Sequence, residues 1–600
     1  MHIKAAGVFT LVVLVAAPIA YMSMFGGFQA YDDEGYMLVT LRDYLAGHPL
    51  LTPYLALYGP FFYELVGGLF KLLGIIPTND SGRLFSIVVW LASSVVAGLA
   101  TYRLTWNLAV GVVGQLVTFS LLAVLAQEPM TTYGLISLLL AGLVLVATYR
   151  LEKPRATAVL VGAIVGALCM LKINVGAFAA LAVVMAWAGS LTPVWRRFVL
   201  PAIAGVITLA PFTLTSALLG RGWVLELALF VSLSTASVAI AYVAAEPRSE
   251  PPSSTGWLLL GGLGLVAASL GIALAGGSRP VDVWNDLVVR AVRFPQLFTL
   301  PVNINPPADA WAVVSVAVAV ATFGPLRHAR VPASAAGAAR IASGLYMLLS
   351  ILLLPSWIFL LGLPLAWIAI RPPGADAAGS YCRILLAALA VIGSLQIYPV
   401  AGSQLALAAL VMVPLGAVIL TDGIAQLLSS PASAAPWRRL AAWATPSAFA
   451  VTVTILILSG YLTEGRFESG SPSGLAGAES VRMPAQQGAQ LRELVGGIER
   501  DCSAFITYPG MNSLYVWTGQ EPATPLRYGV WWLVPDVNDE QLIVQQLQGR
   551  PRLCVVKNQT LIDFWAQGRA VPPSPLVAFI DQNFVEKRSY GDYALLVRRT

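Results

Sequence analysis

Long apolar runs separated by short polar loops fill the first three quarters of the chain. About fifteen of these runs are long enough, or nearly so, to cross a hydrocarbon core of roughly 30 Å as helices. They cover approximately residues 6–25, 84–104, 107–126, 131–149, 156–172, 175–192, 198–219, 222–243, 257–276, 309–324, 341–354, 356–370, 383–398, 404–421 and 441–461. The pattern predicts an α-helical polytopic membrane domain over residues 1–461, in which the two runs around Pro355 are short.

Residues 462–600 differ in pattern and predict a small α/β domain. Apolar residues recur with helical spacing in two places, at Leu491, Leu494, Val495 and Ile498 and at Leu576, Ile580 and Phe584. Strand-like runs occupy 504–508, 553–556 and 593–597. We expect this C-terminal domain to cover or shape a site in the membrane domain, and acceptor binding is the alternative.

The four cysteines divide between the two regions. Cys169 and Cys382 lie in or beside apolar runs, where packing is the expected role. Cys502 and Cys554 both belong to the C-terminal domain, and a disulfide between them would persist in an oxidising compartment. The sequence leaves open whether that bond forms.

Composition excludes a soluble protein. Of the residues, 57% are hydrophobic and only 11% are charged, with a mean hydropathy of +0.75, whereas soluble domains contain roughly 25% charged residues. The net charge of +6 does not indicate a nucleic-acid partner, because the basic residues stand in short clusters between apolar runs.

The basic clusters set the orientation of the chain in the membrane. If the first run is an uncleaved anchor with a cytoplasmic N-terminus, alternate loops place these clusters in the cytoplasm, as the positive-inside rule requires. The residues are Arg103, Arg150, Lys153, Arg155, Arg196, Arg197, Arg327, Arg330, Arg371, Arg438 and Arg439. Residues 26–83, here called the first loop, and the C-terminal domain then lie outside the cytoplasm.

Three consecutive acids, Asp32, Asp33 and Glu34, follow the first apolar run. Carboxylates are costly to hold at a membrane boundary, so we expect them to handle a substrate, a metal ion or a proton. The structural alternative is a helix cap, because Asp stabilises helix N-termini.

The first loop also predicts two helices along the membrane surface. A stripe of leucines over residues 38–45 predicts one helix, which stops before Pro49. The second begins at Pro60, a favourable first position, and ends near Gly74. The two helices would form a platform with the acids at its edge.

This arrangement resembles the GT-C superfamily of membrane glycosyltransferases, especially the bacterial relatives of protein O-mannosyltransferases and aminoarabinose transferases. Members carry an Asp-Glu pair and two juxtamembrane helices in the first extracytoplasmic loop, which Asp33-Glu34 and Tyr58-Gly59-Pro60 match. The resemblance covers roughly residues 1–200. It implies a bacterial inner-membrane enzyme that transfers a sugar from a polyprenyl-phosphate donor to a glycan, lipid or protein acceptor outside the cytoplasm.

By that resemblance, Asp33 acts as the catalytic base or positions the acceptor, and Glu34 is the second member of the catalytic pair. A base is needed because an acceptor hydroxyl is a weak nucleophile at neutral pH. Glu128, in the loop after the third run, matches a further family acid that could bind a divalent metal ion or orient the acceptor. Asp32 and Tyr58, beside these residues, are candidates for substrate contact.

Cations are needed to stabilise the charge of a leaving lipid phosphate. The candidates are Lys172, with the neighbouring Asn174, and the pair Arg290 and Arg293. Lys172 could instead satisfy carbonyl groups at a helix C-terminus. Arg290 follows acids at four-residue spacing, which favours ion pairs within an amphipathic helix.

Tyr398 and Gln404 bound a polar island between the thirteenth and fourteenth runs. Such an island could line a cleft for the carrier or the acceptor. A turn that connects two helices explains the same residues equally well.

Two other classes of protein share part of the pattern. A transporter would explain the many spans, but it should carry ionisable residues near mid-helix and repeated, interrupted helices, and the sequence indicates neither. A lipid-linked oligosaccharide ligase or polymerase would share the carrier and the compartment, and the donor that it consumes would distinguish it.

The orientation can be tested with a reporter that is active only outside the cytoplasm. We expect activity when the reporter follows Thr600 and none when it is inserted within 244–255, because these positions fall on opposite sides of the membrane. The reverse pattern would place Asp33 in the cytoplasm, where soluble nucleotide-sugar donors are available, and would remove the argument for a lipid-linked donor.

Overall fold

Helices dominate the computed structural model, which describes residues 2–51, 58–244, 255–304, 306–323, 332–353, 356–370, 380–429, 435–524, 537–571 and 573–599. In these ranges eleven helices are long and apolar enough to span a membrane. Four shorter apolar helices accompany them, at Tyr133–Ala147, Ile173–Ala188, Trp357–Ala369 and Tyr381–Ile397. Together they fall on the predicted apolar runs, so the prediction of an α-helical polytopic membrane protein is confirmed.

The membrane domain contains helices α1 to α19. Their bounds are α1 His2–Phe25, α2 Asp33–Leu45, α3 Pro60–Leu73, α4 Asn79–Thr105, α5 Leu108–Leu121, α6 Tyr133–Ala147, α7 Pro154–Leu171, α8 Ile173–Ala188, α9 Pro193–Leu214, α10 Gly222–Ala244, α11 Thr255–Ala275, α12 Pro280–Trp284, α13 Arg290–Leu297, α14 Pro306–Phe323, α15 Ala333–Leu353, α16 Ser380–Gly393, α17 Gln404–Leu410, α18 Met412–Ser429 and α19 Ala435–Ser469. Segments of 3-10 helix lie at Leu122–Ala126, Ser216–Leu218, Ser356–Ala369 and Ser394–Ile397, and a π-helical turn lies at Asn285–Val289.

The two helices of the first loop form where the sequence predicts them. α3 starts at Pro60, whose missing N–H costs nothing at this position, and Gly74 ends it with a left-handed backbone (φ 66°). α3 exposes Leu65 and Leu72, as expected of a helix on a membrane surface. α2 differs from the prediction, because residues 34–41 are all buried. The C-terminal domain packs against this helix and covers it.

The C-terminal domain follows α19, a continuous helix that crosses the predicted boundary at residue 461 and ends at Ser469. The elements after it are β1 Ser471–Pro472, β2 Arg482–Met483, α20 Ala485–Asp501, β3 Ala504–Tyr508, α21 Ser513–Thr518, α22 Val537–Gln548, β4 Leu553–Asn558, α23 Gln559–Ala566, α24 Pro575–Asn583, β5 Phe584–Tyr590 and β6 Tyr593–Arg598. The predicted α/β domain is therefore confirmed.

Four strands form the main sheet of this domain, in the order β3-β4-β6-β5. β3 and β4 are parallel, and the other two pairs are antiparallel. The sequence prediction missed β5 and placed Phe584 in the preceding helix. The reason is that β5 is an edge strand, in which only Phe584 and Tyr590 are buried and the residues between them are exposed.

A disulfide joins Cys502, directly after α20, to Cys554 in β4. It resolves the pairing that the sequence left open. The bond closes a separation of 52 residues, and a closed loop restricts the unfolded chain and thereby stabilises the folded domain.

Candidate active site

Three neighbouring acids at the start of α2 point toward three different partners. Successive helical residues are rotated by about 100° around the helix axis, so their side chains diverge. Asp32 faces the C-terminal domain, Asp33 faces the loops between membrane helices, and Glu34 faces α4. Three neighbouring carboxylates therefore have three different sets of partners.

Asp32 joins the first loop to the C-terminal domain. Its backbone is left-handed (φ 56°), and its Oδ1 accepts the N–H of Gly35 at 3.0 Å. Ser513 donates its backbone N–H to Oδ2 and its hydroxyl to Oδ1, both at 2.6 Å. Both carboxylate oxygens are thus occupied by protein groups, and this arrangement gives Asp32 a capping and linking role instead of an open position for substrate.

Glu34 forms a buried ion pair with Arg83 of α4. Nε and Nη2 of Arg83 donate to the two carboxylate oxygens at 2.9 and 2.8 Å. Nη1 of Arg83 donates to the carbonyl oxygens of Met24 and Gly27 at 2.6 and 2.8 Å. The two charged side chains are only 4% and 1% exposed. The pair fixes α2 against α1 and α4. The carboxylate of Glu34 is therefore bound to Arg83, on a different side of α2 from Asp33.

Asp33 is the acid that faces an open cluster of side chains. Its carboxylate is partly buried, lacks a hydrogen-bond donor within the described ranges, and interacts electrostatically with Glu128. The hydroxyl groups of three tyrosines interact electrostatically with the carboxylates of Asp33 and Glu128. These tyrosines are Tyr31, Tyr58 and Tyr133. We call these five side chains the acid cluster.

Lys172, Ser403 and Gln404 border the acid cluster. Ser403 donates its hydroxyl to Oε2 of Glu128 at 2.9 Å, and Nζ of Lys172 donates to Oε1 of Gln404 at 3.1 Å. The same Nζ lies 5.1 Å from the ring centre of Tyr133. The structure thus brings together a subset of the predicted site residues, namely Asp33, Tyr58, Glu128, Lys172 and Gln404.

A glycine allows the first loop to approach the turn between α7 and α8. The N–H of Gly59 donates to the carbonyl oxygen of Leu171 at 3.0 Å. A methyl group at Gly59 would overlap the carbonyl oxygen of Met170, so a larger residue would push the loop away. This contact holds Tyr58 next to the turn that carries Lys172.

Burial raises the pKa of both acids in the cluster, because a charged carboxylate loses hydration there. For Asp33, burial and then the charges of Glu128 and Asp32 raise the pKa to about 8. For Glu128, burial raises the pKa, while the Ser403 hydroxyl and the charge of Lys172 act in the opposite direction. A carboxyl group with a pKa near 8 is a stronger base than an ordinary carboxylate, and a pKa close to the working pH suits a general acid or base.

The predicted arginines belong to the helices between α11 and α14. Arg290 pairs with Asp286 one turn earlier, and Arg279 pairs with Asp282 at 2.6 Å. Arg293 is exposed on the same segment. These ion pairs match the internal pairing that the spacing favours, and these arginines lie on a segment separate from those that form the acid cluster.

Asn174 and Tyr398 lie on segments that lead to the cluster. The side-chain oxygen of Asn174 accepts the N–H of Val175 at 3.0 Å, within the first turn of α8. Tyr398 is buried and packs against Trp223, with ring centroids 6.4 Å apart. Both remain predicted substrate contacts.

Sequence reasoning did not single out Tyr31 or Tyr133 as site residues, and it included Ser403 only as part of the polar island between Tyr398 and Gln404. The hydroxyl of Tyr31 donates to the carbonyl oxygen of Gln127 at 3.1 Å, and the hydroxyl of Tyr133 hydrogen-bonds with Ser403 and Tyr58. The sequence signal that could have identified the two tyrosines is their position within a few residues of a candidate acid. That signal is weak, because tyrosine is common at membrane interfaces in general.

The acid cluster fits part of a divalent-cation site. Carboxylate and hydroxyl oxygens are the ligands that hard cations such as Mg²⁺ prefer. The described segments contain no group of three or more His, Cys, Asp and Glu side chains that could hold a metal ion. Asp33 and Glu128 would therefore need oxygen atoms from water or substrate to complete the coordination.

No family model and no curated protein matches the chain. Among solved structures, an Archaeoglobus fulgidus oligosaccharyltransferase in complex with Zn and sulfate has a TM-score of 0.41 at 10% identity, covering 96% of this chain and 71% of that chain. The archaeal oligosaccharyltransferase AglB with an inhibitory peptide and a dolichol-phosphate gives 0.41 at 10% identity, covering 98% and 74%. ArnT from Cupriavidus metallidurans gives 0.37 at 14% identity, covering 99% and 98%.

Both kinds of protein are members of the GT-C superfamily that the sequence resembles. At these identities and TM-scores the likeness carries no argument about activity.

The ion pair of Glu34 predicts a loss of stability when the pair is broken. Glu34→Gln should destabilise the protein by about 3 to 5 kcal/mol, because it leaves the buried charge of Arg83 without a counter-charge. The apparent midpoint of thermal unfolding in detergent measures this loss. Glu493→Gln breaks an exposed pair with Arg588 and should change the midpoint little. A Glu34→Gln protein of normal stability without turnover would instead support the catalytic role.

The raised pKa of Asp33 can be measured by infrared titration, with Asp33→Asn identifying its band. The protonated carboxyl signal should disappear near pH 8 instead of near the ordinary value of about 3.9. Glu128→Gln removes a negative charge that raises this pKa, so the transition should move to lower pH. An unchanged transition in that variant would show that the two acids do not interact.

Proposed function

We propose that the chain is a glycosyltransferase that transfers a sugar from a polyprenyl-phosphate donor to an acceptor outside the cytoplasm. The observation that carries this proposal is the setting of Asp33. Its carboxylate has no donor among the described residues, interacts with a second acid, and belongs to a cluster bordered by a lysine at the edge of the membrane helices. Such a site suits the activation of a hydroxyl group next to a lipid-borne anion.

In the proposed reaction, Asp33 is the general base. As the acceptor oxygen forms its bond to the anomeric carbon of the sugar, the bond from that carbon to the phosphate oxygen breaks, and Asp33 takes the proton of the acceptor. The polyprenyl phosphate leaves with the electron pair of the broken bond. Glu128 orients the acceptor or contributes to the binding of a divalent ion.

Lys172 is proposed to stabilise the phosphate of the donor. Its ammonium group donates to the neutral side chain of Gln404 at 3.1 Å, so a phosphate could replace this partner without breaking an ion pair. A hydrogen bond between an ammonium group and a phosphate is stronger than one to a neutral amide. Gln404 and Tyr58 are proposed as further contacts to the sugar or the phosphate.

The side of the membrane on which the site lies determines which type of sugar donor can reach it. The disulfide between Cys502 and Cys554 supports an oxidising environment for the C-terminal domain, and Asp32 ties that domain to the first loop. Together with the distribution of basic loops, this supports a site outside the cytoplasm, and the resemblance to bacterial enzymes makes the bacterial inner membrane the proposed location. Soluble nucleotide sugars are cytoplasmic, so a lipid-linked donor fits best.

The function is tested by transfer from a labelled polyprenyl-phosphate monosaccharide to extracts that contain glycan, lipid and protein acceptors. Asp33→Asn should reduce turnover by roughly a hundredfold or more, because the amide keeps the volume of the side chain but cannot accept a proton. Donor binding should be retained. Asp43→Asn, which changes an acid on the same helix away from the cluster, serves as the matched control.

Lys172→Met should behave differently, with weaker donor binding, because a charge-assisted hydrogen bond of about 1.5 to 3 kcal/mol is lost. A chelator in the same assay determines whether a divalent ion is required. Transfer only from an oligosaccharide-linked donor would favour the ligase or polymerase class. Normal turnover of Asp33→Asn would refute the proposed mechanism.

A further inference from the structure

The C-terminal domain contacts the first loop at the residue next to the proposed base. Ser513, the first residue of α21, donates both its N–H and its hydroxyl to the carboxylate of Asp32, which immediately precedes Asp33. The two segments are so close that a methyl group at Gly35 would overlap the backbone nitrogen of Ser513. All three contacting residues, Asp32, Gly35 and Ser513, are buried.

Asn79, at the start of α4, extends this contact. Its amide donates to the hydroxyl oxygen of Ser513 at 3.3 Å, and its carbonyl oxygen accepts Nε1 of Trp517 at 3.0 Å. Trp517 also packs against Phe28, with ring centroids 5.2 Å apart. Ser513 therefore lies between the beginnings of α2 and α4, the two helices that the buried ion pair joins.

The turn at Asp32 is held by hydrogen bonds to its carboxylate. Asp is one of the few residues with a Cβ atom that adopt the left-handed region, because its short side chain can hydrogen-bond nearby backbone groups, as it does here with the N–H of Gly35. Asp32 adopts this region (φ 56°), and two of the donors to its carboxylate come from Ser513. The turn at Asp32 sets the direction in which the chain, and with it Asp33, enters α2.

We infer that Ser513 is a positioning residue for Asp33, through which the C-terminal domain fixes the turn at Asp32 and aims the proposed base at the acid cluster. This inference rests on the proposed function. A displacement of a catalytic group by about 1 Å can cost on the order of a hundredfold in rate. The cost falls on turnover, because Ser513 bonds to Asp32 and not to a member of the acid cluster.

A double-mutant cycle on the full-length protein tests the inference. Ser513→Ala and Asp32→Asn should each lower kcat at least about tenfold while the KM of the donor changes by less than about twofold. Ser513→Ala removes the hydroxyl donor to Asp32 and keeps the backbone N–H donor. The double variant should be no worse than the more severe single variant, because the Ser513 hydroxyl acts only through the Asp32 carboxylate. An increase in KM without a loss of kcat would instead show that Asp32 contacts substrate, and would overturn the inference.

Asp80→Ala is the matched control. Asp80 of α4 accepts the backbone N–H of Ser480 at 3.0 and 3.3 Å, which is another contact between the C-terminal domain and the membrane domain but not one beside the base. Its loss should lower the midpoint of thermal unfolding and leave kcat unchanged. Equal losses of kcat in Asp80→Ala and Ser513→Ala would mean that Ser513 is only structural.

Hydrogen exchange at the amide of Gly35 gives a readout that does not depend on turnover. This N–H donates to Asp32, so exchange should become faster in Ser513→Ala and stay unchanged in Asp80→Ala. Unchanged exchange in both variants would overturn the inference. Asp33→Asn, measured in parallel, separates the two proposals: if it is inactive while Ser513→Ala turns over normally, only the role of Ser513 is wrong.

Discussion

The buried ion pair between Glu34 and Arg83 is the interaction on which the rest of the site depends. Taking two charges out of water costs several kcal/mol per ion, and only full pairing offsets that cost. Arg83 achieves it with two bonds to Glu34 and with bonds to the carbonyl oxygens of Met24 and Gly27. The ends of three helices are thereby held in one arrangement, and the position of α2 beside α1 and α4 follows from it.

Asp32, Asp33 and Glu34 all carry a carboxyl group. They differ in the residues that each of them contacts. Glu34 meets a cation and becomes a structural charge, and Asp32 meets two donors from α21 and becomes a link. Asp33 is buried beside a second carboxylate, and burial together with that charge raises its pKa. Burying a carboxyl group such as that of Asp33 lowers the stability of the fold. Titratable groups with strongly shifted pKa values are found most often at functional sites.

The features that the sequence predicted correctly are those that depend on residues close together along the chain. Apolar runs and the helix stop at Gly74 are local properties, and the structure contains both. The role of Glu34 depends on Arg83, 49 positions away, and the role of Asp32 depends on Ser513, 481 positions away, so no local pattern could separate them from Asp33. β5 was missed for a related reason, because an exposed edge strand has few apolar residues to mark it.

The distance along the chain between Asp32 and Ser513 also orders events during synthesis. At about 5 to 20 residues per second, roughly 25 to 100 s pass between the synthesis of the first loop and that of its partner. During that interval the membrane helices can insert, but the turn beside Asp33 has no partner to hold it. A nascent or truncated chain that ends before Ser513 therefore carries Asp32 without the two hydrogen bonds that hold its carboxylate in the folded protein.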